Sequence, residues 1–388
     1  MDSVLQQYRN SIAEYLSASP ETISLFWKGR VALYALLKSY GIKEGDEIVL
    51  PAFTCVVVPN AVIYCGAKPV YADIDSKTFN CNPDEIRSKI TPRTKIIIAQ
   101  NTFGLSCDLD KIMEVAREKG IVVIEDCTHG FGGFYKNKKN GTIADASFFS
   151  TQWNKPYSTG IGGIAFAKDK QIADKMNLFE RECVQPSYRE KTQLRILLSV
   201  RRLMTSPAIY WSMIRAYRFL SSRNMVVGSS AGDELVRPLL HKSFAKQMSA
   251  VQAEKGLSEL KKLDGYNQRR RSIAKRYHAL LSSLNVSPPY EPEYSTHTFL
   301  KYPLLVKDRA EFLHLAEKEG IELGDWFLSP IHPITEKFSD WHYTRGSGPV
   351  AEHVSNHIVN LPTHAGMSEE YIEKVCYFLR RYVDHLLV

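Results

Sequence analysis

A lysine between an apolar segment and a glycine-rich turn is the residue whose setting most clearly suggests chemistry. Lys155 follows the apolar residues 146–149 and precedes the turn 160–163, which carries three glycines. Burial takes solvent from an ammonium group and lowers its pKa, and the neutral amine can then attack a carbonyl carbon to form a Schiff base. Taken alone, a lysine before a proline is more often an ordinary surface residue.

A carboxylate upstream strengthens the chemical interpretation of Lys155. Residues 121–126 read Ile-Val-Val-Ile-Glu-Asp, which predicts a buried parallel strand with Asp126 at the carboxyl edge, where open α/β sheets bind their ligands. A helix N-cap or a solvated strand end would also explain Asp126 by itself. Pyridoxal 5'-phosphate needs a lysine for its aldehyde and a carboxylate for its pyridine nitrogen, so the pair predicts this cofactor.

The order of motifs over nearly the whole chain resembles the DegT/StrS-type sugar aminotransferases, which are fold type I pyridoxal-phosphate enzymes. The matching positions are 45–54, 66–75, 90–95, 103–104, 125–126, 150, 155, 349–352 and 360–364. The resemblance implies the aminotransferase fold, in which helices cover a mostly parallel central sheet and a smaller α+β domain follows.

The resemblance also implies roles for individual residues. Lys155 matches the lysine that forms the Schiff base, and Asp126 matches the partner of the pyridine nitrogen. His129 matches a Gln or His near the ring, although an ordinary buried histidine would look the same. Ser150 and Gly29 match phosphate-binding positions, and the free amides and dipole of a helix start at Gly29 would suit a dianion.

Several positions depart from the family pattern. Lys28 and Arg30 replace the hydroxyl residues on either side of the helix-start glycine. Arg30 could bind the phosphate through two hydrogen bonds, or it could be a solvated residue at a helix start. Cys55 occupies a position where relatives often place an aromatic side chain over the cofactor ring, and Phe53 and Phe103 are candidate substitutes.

The segment 243–249 departs as well. It aligns with a family stretch that carries Asn and Arg, where the Asn often reaches the phosphate of the partner subunit, but here the positions are Ala245 and Gln247. The cross-subunit contact is then either absent or replaced by Lys246 or Arg30.

Length and composition fit a two-domain enzyme. The chain has 388 residues, of which 44% are hydrophobic, and we expect a large cofactor-binding α/β domain over 1–250 and a small domain over 251–388. The predicted strands are 48–50, 68–71, 95–99, 121–124, 146–149 and 298–306, and the predicted helices are 30–40, 108–119, 249–284 and one that begins at 368.

The stretch 186–240 is the part least similar to the family and is interpreted as a helical, basic insertion. Apolar residues alternate with arginines in 194–204 and 210–220. Helices packed on a dimer or over the active-site mouth are favoured over contact of 190–222 with a membrane surface.

Other sequence features limit the class of protein. The net charge of +8 favours anionic ligands, and no nucleic-acid-binding motif is visible. The seven scattered cysteines lack zinc-site spacing, so we predict no metal and reduced thiols in the cytoplasm. We expect no signal peptide, and no apolar run of membrane-spanning length is visible in the sequence.

The predicted reaction moves an amino group from L-glutamate to a keto or aldehyde carbon of a deoxy sugar, in the biosynthesis of surface polysaccharides or amino sugars. Family analogy supplies the donor and a homodimer. A nucleotide-linked sugar is favoured over a free keto-deoxy sugar acid. Dehydratase relatives carry histidine in place of Lys155, and intact Lys155 and Asp126 argue against a non-catalytic binding or membrane-associated protein that retains the fold.

Overall fold

The computed structural model describes residues 3–203, 232–241 and 243–387. The helices are α1 (Ser3–Leu16), α2 (Gly29–Ser39), α3 (Val57–Tyr64), α4 (Pro83–Lys89), α5 (Leu109–Lys119), α6 (Lys170–Glu182), α7 (Tyr188–Leu203), α8 (Ala250–Leu260), α9 (Leu263–Ser283), α10 (Arg309–Lys318), α11 (Pro349–His357) and α12 (Glu369–Arg381). The strands are β1 (Ile23–Phe26), β2 (Glu47–Pro51), β3 (Thr54–Cys55), β4 (Lys68–Ala72), β5 (Thr94–Gln100), β6 (Val122–Asp126), β7 (Phe134–Tyr135), β8 (Lys138–Lys139), β9 (Ala146–Ser150), β10 (Gly163–Ala167), β11 (Ser295–Thr296), β12 (Tyr302–Leu305), β13 (Ile331–His332) and β14 (Ile358–Leu361).

A seven-stranded sheet forms the centre of the molecule, in the order β1-β10-β9-β6-β5-β2-β4. Strands β9, β6, β5, β2 and β4 run parallel, and β10 pairs antiparallel with both β9 and the edge strand β1. This arrangement confirms the predicted α/β class with a mostly parallel sheet.

Helices cover both faces of the sheet, because the inner strands are apolar on both faces. Along β5, Ile96 and Ile98 pack into the core that contains α2, while Ile97 packs on the opposite face against Ile112 of α5. Successive side chains of a strand point to opposite faces, so a continuous run of isoleucines fills two cores at once. The sheet is therefore buried, and its carboxyl edge is free to carry polar side chains.

Two elements differ from the sequence-based expectation. The stretch before residue 25, predicted only as polar, contains α1, which buries Tyr8, Ile12 and Leu16 at helical spacing. The single helix expected over 249–284 is wrong: α8 ends at Leu260 and α9 begins at Leu263. Helix α8 packs against α1, while α9 contributes residues from Ile273 onward to the core of the C-terminal part.

The C-terminal part has a hydrophobic core of its own, formed by residues between Ile273 and Leu386. The domain division near residue 250 stays a prediction. In the 186–240 stretch, the first arginine-containing segment falls within α7, and the segment 210–220 lies outside the described residues. Over the ranges given above, no helix combines the length and apolar character needed to cross a bilayer.

Candidate active site

Parallel strands bring Asp126 and the turn that carries Lys155 to one edge of the sheet. Strand β6 ends at Asp126 and pairs in parallel with β9, which ends at Ser150. Lys155 lies in the turn that joins β9 to antiparallel β10. Hydrogen bonds close the base of that turn, from Thr151 N to Gly162 O at 3.0 Å and between the Thr151 and Thr159 hydroxyls at 2.7 Å. The turn is therefore held at the carboxyl edge beside Asp126.

The Lys155 amine is largely withdrawn from solvent and makes no hydrogen bond or ion pair within the described residues. Its Nζ lies 5.0 Å from the centroid of the Trp326 ring. Burial lowers the pKa of Lys155 to about 8, Cys55 and Asp126 oppose the shift, and Lys301 adds to it. A far larger fraction of this amine is neutral near pH 8 than for an ordinary lysine, as a nucleophile or general base requires.

Asp126 is the carboxylate of the site. It is 3% exposed, and its Oδ1 accepts a hydrogen bond from Thr128 N at 2.9 Å. Burial raises the pKa of Asp126, while the Thr128 hydrogen bonds and the charge of Lys155 oppose that rise. The adjacent Glu125 points to the other face of the strand, where it accepts hydrogen bonds from Asn101 and the Gly141 amide, so its role is structural.

Aromatic rings form a wall beside these groups. The His129 ring stacks nearly parallel to Phe327, with centroids 5.9 Å apart, and to Phe103 at 6.4 Å. Trp326 contacts His129 with a centroid distance of 5.4 Å. Burial and the nearby cations lower the pKa of His129 well below its usual range, so the imidazole is neutral at physiological pH. Phe53 is fully buried and contacts Phe103 and Phe327 edge to face.

Cys55 also lies in the site. Strand β3 places it opposite His332 in a short parallel pair with β13. Burial raises the pKa of the Cys55 thiol, and the charges of Lys155 and Arg30 counteract that rise. The thiol thus borders the Lys155 amine, and aromatic surface near the amine comes from Trp326 instead.

The start of α2 forms a small polar cradle against the end of β9. A Cβ added at Gly29 would lie 2.8 Å from the Ser150 Cβ, so only glycine permits this approach. The amides at Gly29 and Arg30 precede the first intrahelical hydrogen bond, which runs from Val31 N to Lys28 O. Burial and the charge of Arg30 lower the pKa of Lys28 to about 8. The first turn of α2 and the Ser150 hydroxyl therefore lie close together, and Lys28 precedes that turn.

Arg30 is bonded within the chain. Its guanidinium forms an ion pair with the Glu234 carboxylate, and each side chain is 6% exposed. Asn60 holds the Glu234 backbone by donating to its carbonyl at 3.1 Å. Arg30 is thus buried rather than solvated, and binding of a phosphate by Arg30, which stays a prediction, would require Glu234 to move.

Residues of the 243–249 segment also form an ion pair and hydrogen bonds within this chain. Lys246 pairs with Glu190, and Gln247 donates to the carbonyls of Cys183 and Arg181 at 3.1 and 3.0 Å. Whether any of these residues reaches a partner subunit stays a prediction.

The structure adds three residues that the sequence left out of the site or could not place. Trp326 and His332 lie in sequence segments that resemble small-domain loops of the family, but the sequence could not place either of them against a ligand, and Lys301 was missed altogether. Their rings and amine now lie together: Trp326 contacts His332 at 5.0 Å between centroids, and Lys301 Nζ lies 5.6 Å from the Trp326 centroid. The available signal for Lys301 was a lone lysine within the apolar run 298–306.

Comparisons with known proteins agree with this geometry. The model of the DegT/DnrJ/EryC1/StrS aminotransferase family matches residues 3–380. A GDP-perosamine synthase of Caulobacter vibrioides is 30% identical over 354 residues, which cover 89% of this chain and 82% of that protein. Another, from Escherichia coli O157:H7, is 30% identical over 380 residues, covering 96% and 88%.

A solved structure has the same fold. NtdA of Bacillus subtilis, with bound cofactor PMP, superposes with a TM-score of 0.77 at 22% identity, over 99% of this chain and 78% of that one. The chain belongs to the DegT/DnrJ/EryC1/StrS aminotransferase family, which confirms the predicted family, fold and enzyme class.

Proposed function

We propose that this member of the DegT/DnrJ/EryC1/StrS family uses pyridoxal 5'-phosphate to transfer an amino group from L-glutamate to a keto or aldehyde carbon of a nucleotide-linked deoxy sugar. The observation that carries the proposal is the partly buried Lys155, whose pKa is lowered to about 8, near the buried Asp126 carboxylate. A structural lysine at this depth would normally pair with a carboxylate, and in the described residues Lys155 does not.

The residues present fit the cofactor. Lys155 is available for its aldehyde, Asp126 for its ring nitrogen, and the cradle of Gly29, Ser150 and Lys28 for its phosphate. The space that a Cβ at Gly29 would fill lets a phosphate approach the first turn of α2, and the positive end of the helix dipole favours a dianion. When bound, pyridoxal phosphate supplies an electron sink for the carbanion of a bound amino acid.

The protein's own residues do the proton chemistry. With the donor's amine in place of Lys155, the freed Nζ would take the proton from the donor's α-carbon and pass it to the C4' carbon of the bound cofactor, and the second half-reaction would run the same transfer in reverse. Asp126 holds a proton at the ring nitrogen. Because His129 is neutral and lies in an aromatic wall, it offers a flat surface and one N–H donor without adding charge. Two half-reactions at one site give ping-pong kinetics.

The nucleotide-linked substrate is supported by the names of the 30% identical relatives, which make GDP-perosamine. The net charge of +8 fits anionic substrates of this kind, including the dicarboxylate donor. All seven cysteines are free thiols, which fits the reducing conditions of the cytoplasm.

A homodimer is part of the proposal. Large apolar side chains are exposed between residues 178 and 240, including Leu178, Val184, Tyr188, Ile196 and Val236, each more than half exposed. A cluster of such side chains commonly marks a protein interface. Light scattering on the purified protein should give twice the chain mass of 44.1 kDa.

The test is an absorbance titration of the purified holoenzyme. The wild type should show a band near roughly 410–430 nm that moves toward about 330 nm when L-glutamate is added, whereas Lys155→Ala should show neither. GDP-linked and dTDP-linked keto sugars should then restore the first band, and a free keto sugar acid should not. If no band forms with added pyridoxal phosphate, the aminotransferase proposal fails. If only the free acid restores it, the substrate class is wrong.

A further inference from the structure

Two lysine amines border the same indole ring in the active site. Lys155 Nζ lies 5.0 Å and Lys301 Nζ lies 5.6 Å from the centroid of the Trp326 ring. The distance between the Lys155 and Lys301 nitrogens therefore cannot exceed the sum of these two distances. The mechanism above uses Lys155 and leaves Lys301 without a task.

Lys301 lacks a counterion in the described part of the chain. It forms no ion pair there, and Asp325 and Glu322 act on it only through space. Burial lowers the pKa of Lys301, and the positive charge of Arg270 lowers it further. A cation withdrawn from water without a partner is unfavourable, so an anion that entered this space would relieve the cost.

The surrounding groups do not provide that anion. Arg270 is committed elsewhere, since it donates to Pro156 O at 2.8 Å and to Asn267 Oδ1 at 2.7 Å. Asp126 is the buried carboxylate assigned to the ring nitrogen. Asp325 and Glu322 offset the charge of Lys301 only through space, and in the described residues neither forms an ion pair with it, so the Lys301 amine is available to an anionic group.

The backbone at Lys301 is fixed, so the amine is presented from a defined place. Its amide donates to Phe103 O at 3.3 Å. Thr363 Oγ1 donates to the carbonyls of Phe299 and Leu300 at 2.8 and 3.2 Å, and β12 begins at the next residue, Tyr302. Such an anchor suits a recognition residue.

The upper limit on the distance between the two lysine nitrogens permits a dicarboxylate amino acid to reach both. Its amine must reach the position of the Lys155 nitrogen, because it replaces that nitrogen during the reaction. An extended glutamate spans roughly 5 Å from its nitrogen to its side-chain carboxylate carbon. A charged N–H···O hydrogen bond adds about 2.8 Å, which brings the carboxylate within reach of a second amine on the same ring.

We infer that Lys301 binds the side-chain carboxylate of the amino donor and thereby favours dicarboxylate amino acids over neutral ones. This inference rests on the proposed function, since it assigns a residue to the donor of that reaction.

The first experiment is calorimetric titration with glutarate, a dicarboxylate that has no amine and cannot react. Lys301→Met in the holoenzyme should weaken glutarate binding about tenfold or more, Lys301→Arg should stay within a few-fold of wild type, and Lys307→Met, which removes an exposed lysine of the same segment, should change nothing. Lys301→Gln is the second neutral variant if methionine impairs folding. Unchanged glutarate affinity in a folded neutral variant overturns the inference.

Two further measurements are needed. One distinguishes a carboxylate of the donor from a phosphate of the nucleotide as the anion that Lys301 binds, and the other distinguishes failure of this inference from failure of the proposed function. GDP is titrated into the same variants: a loss of GDP affinity with intact glutarate affinity would assign Lys301 to the acceptor and overturn the inference. Glutarate binding needs no turnover, so Lys301-dependent binding by an enzyme that transfers no amino group would count against the proposed function alone. Normal amino transfer from glutamate by Lys301→Met, with an unchanged donor KM, would count against Lys301 alone.

Discussion

The lowered pKa of Lys155 predicts an unusual pH dependence for capture of the cofactor by the apoenzyme. The folded protein should present a lysine with a pKa of about 8, compared with about 10.5 for an ordinary side chain. At pH 7.5 the neutral fraction is then about 24%, against about 0.1% for an unperturbed lysine. The reactive amine is therefore about two hundred times more abundant than in a free lysine at that pH.

The assay is stopped-flow absorbance after mixing apoenzyme with pyridoxal phosphate at constant ionic strength across the range from pH 6.5 to 10. The initial rate should rise through a midpoint near 8 and become flat above about pH 9, because the neutral amine is then the main form. Lys301→Met should move the midpoint upward, since that lysine contributes to lowering the pKa. Lys155→Ala is the control and should give no specific rate.

A rate that keeps rising about tenfold per pH unit up to pH 10 would refute the reasoning, because it would mean that burial does not perturb the amine. A free lysine derivative measured in parallel should behave in that way.

The other predictions concern the groups around Lys155. Asp126→Asn should keep the absorbance band but lower turnover about a hundredfold or more, because the ring nitrogen loses its charged partner; a kcat near wild type would contradict this role. Gly29→Ala should weaken cofactor binding by roughly tenfold, since its Cβ would lie 2.8 Å from the Ser150 Cβ, whereas Gly265→Ala, with open space around it, should leave cofactor titration unchanged. Arg30→Met should lower the free energy of unfolding by about 3–5 kcal/mol because it leaves a buried carboxylate without its ion pair; an unchanged denaturation midpoint would show that the pair is not buried in solution.

The chemistry at the sheet edge could be predicted from the sequence because it depends on local patterns. Apolar runs define β6 and β9, and polar residues at the ends of parallel strands meet at one edge wherever the strands pair. The position of Asp126 beside the turn of Lys155 follows from that rule. The two-residue gap between α8 and α9 was missed for the opposite reason, since 249–284 contains no proline or glycine cluster that would mark a helix end.

The far side of the site could not be predicted because it depends on long-range packing. Trp326 and His332 meet Lys155 only after the C-terminal part has packed on the sheet, and no periodicity reports that contact. The ion pair of Arg30 with Glu234 spans 204 residues, so a sequence reading could only weigh a solvated arginine against a ligand-binding one. The pairing with Glu234 was not among those alternatives.

The order of the site along the chain has a consequence for how this enzyme can be altered. The groups that fit the cofactor all come before β10, whereas Lys301, Trp326 and His332 all come after residue 300. A chimera that exchanges only the later segment would therefore keep the residues that fit the cofactor and replace Lys301, Trp326 and His332 together. Because Trp326 borders the Lys155 amine and Lys301 lowers its pKa, such an exchange would also alter the setting of Lys155.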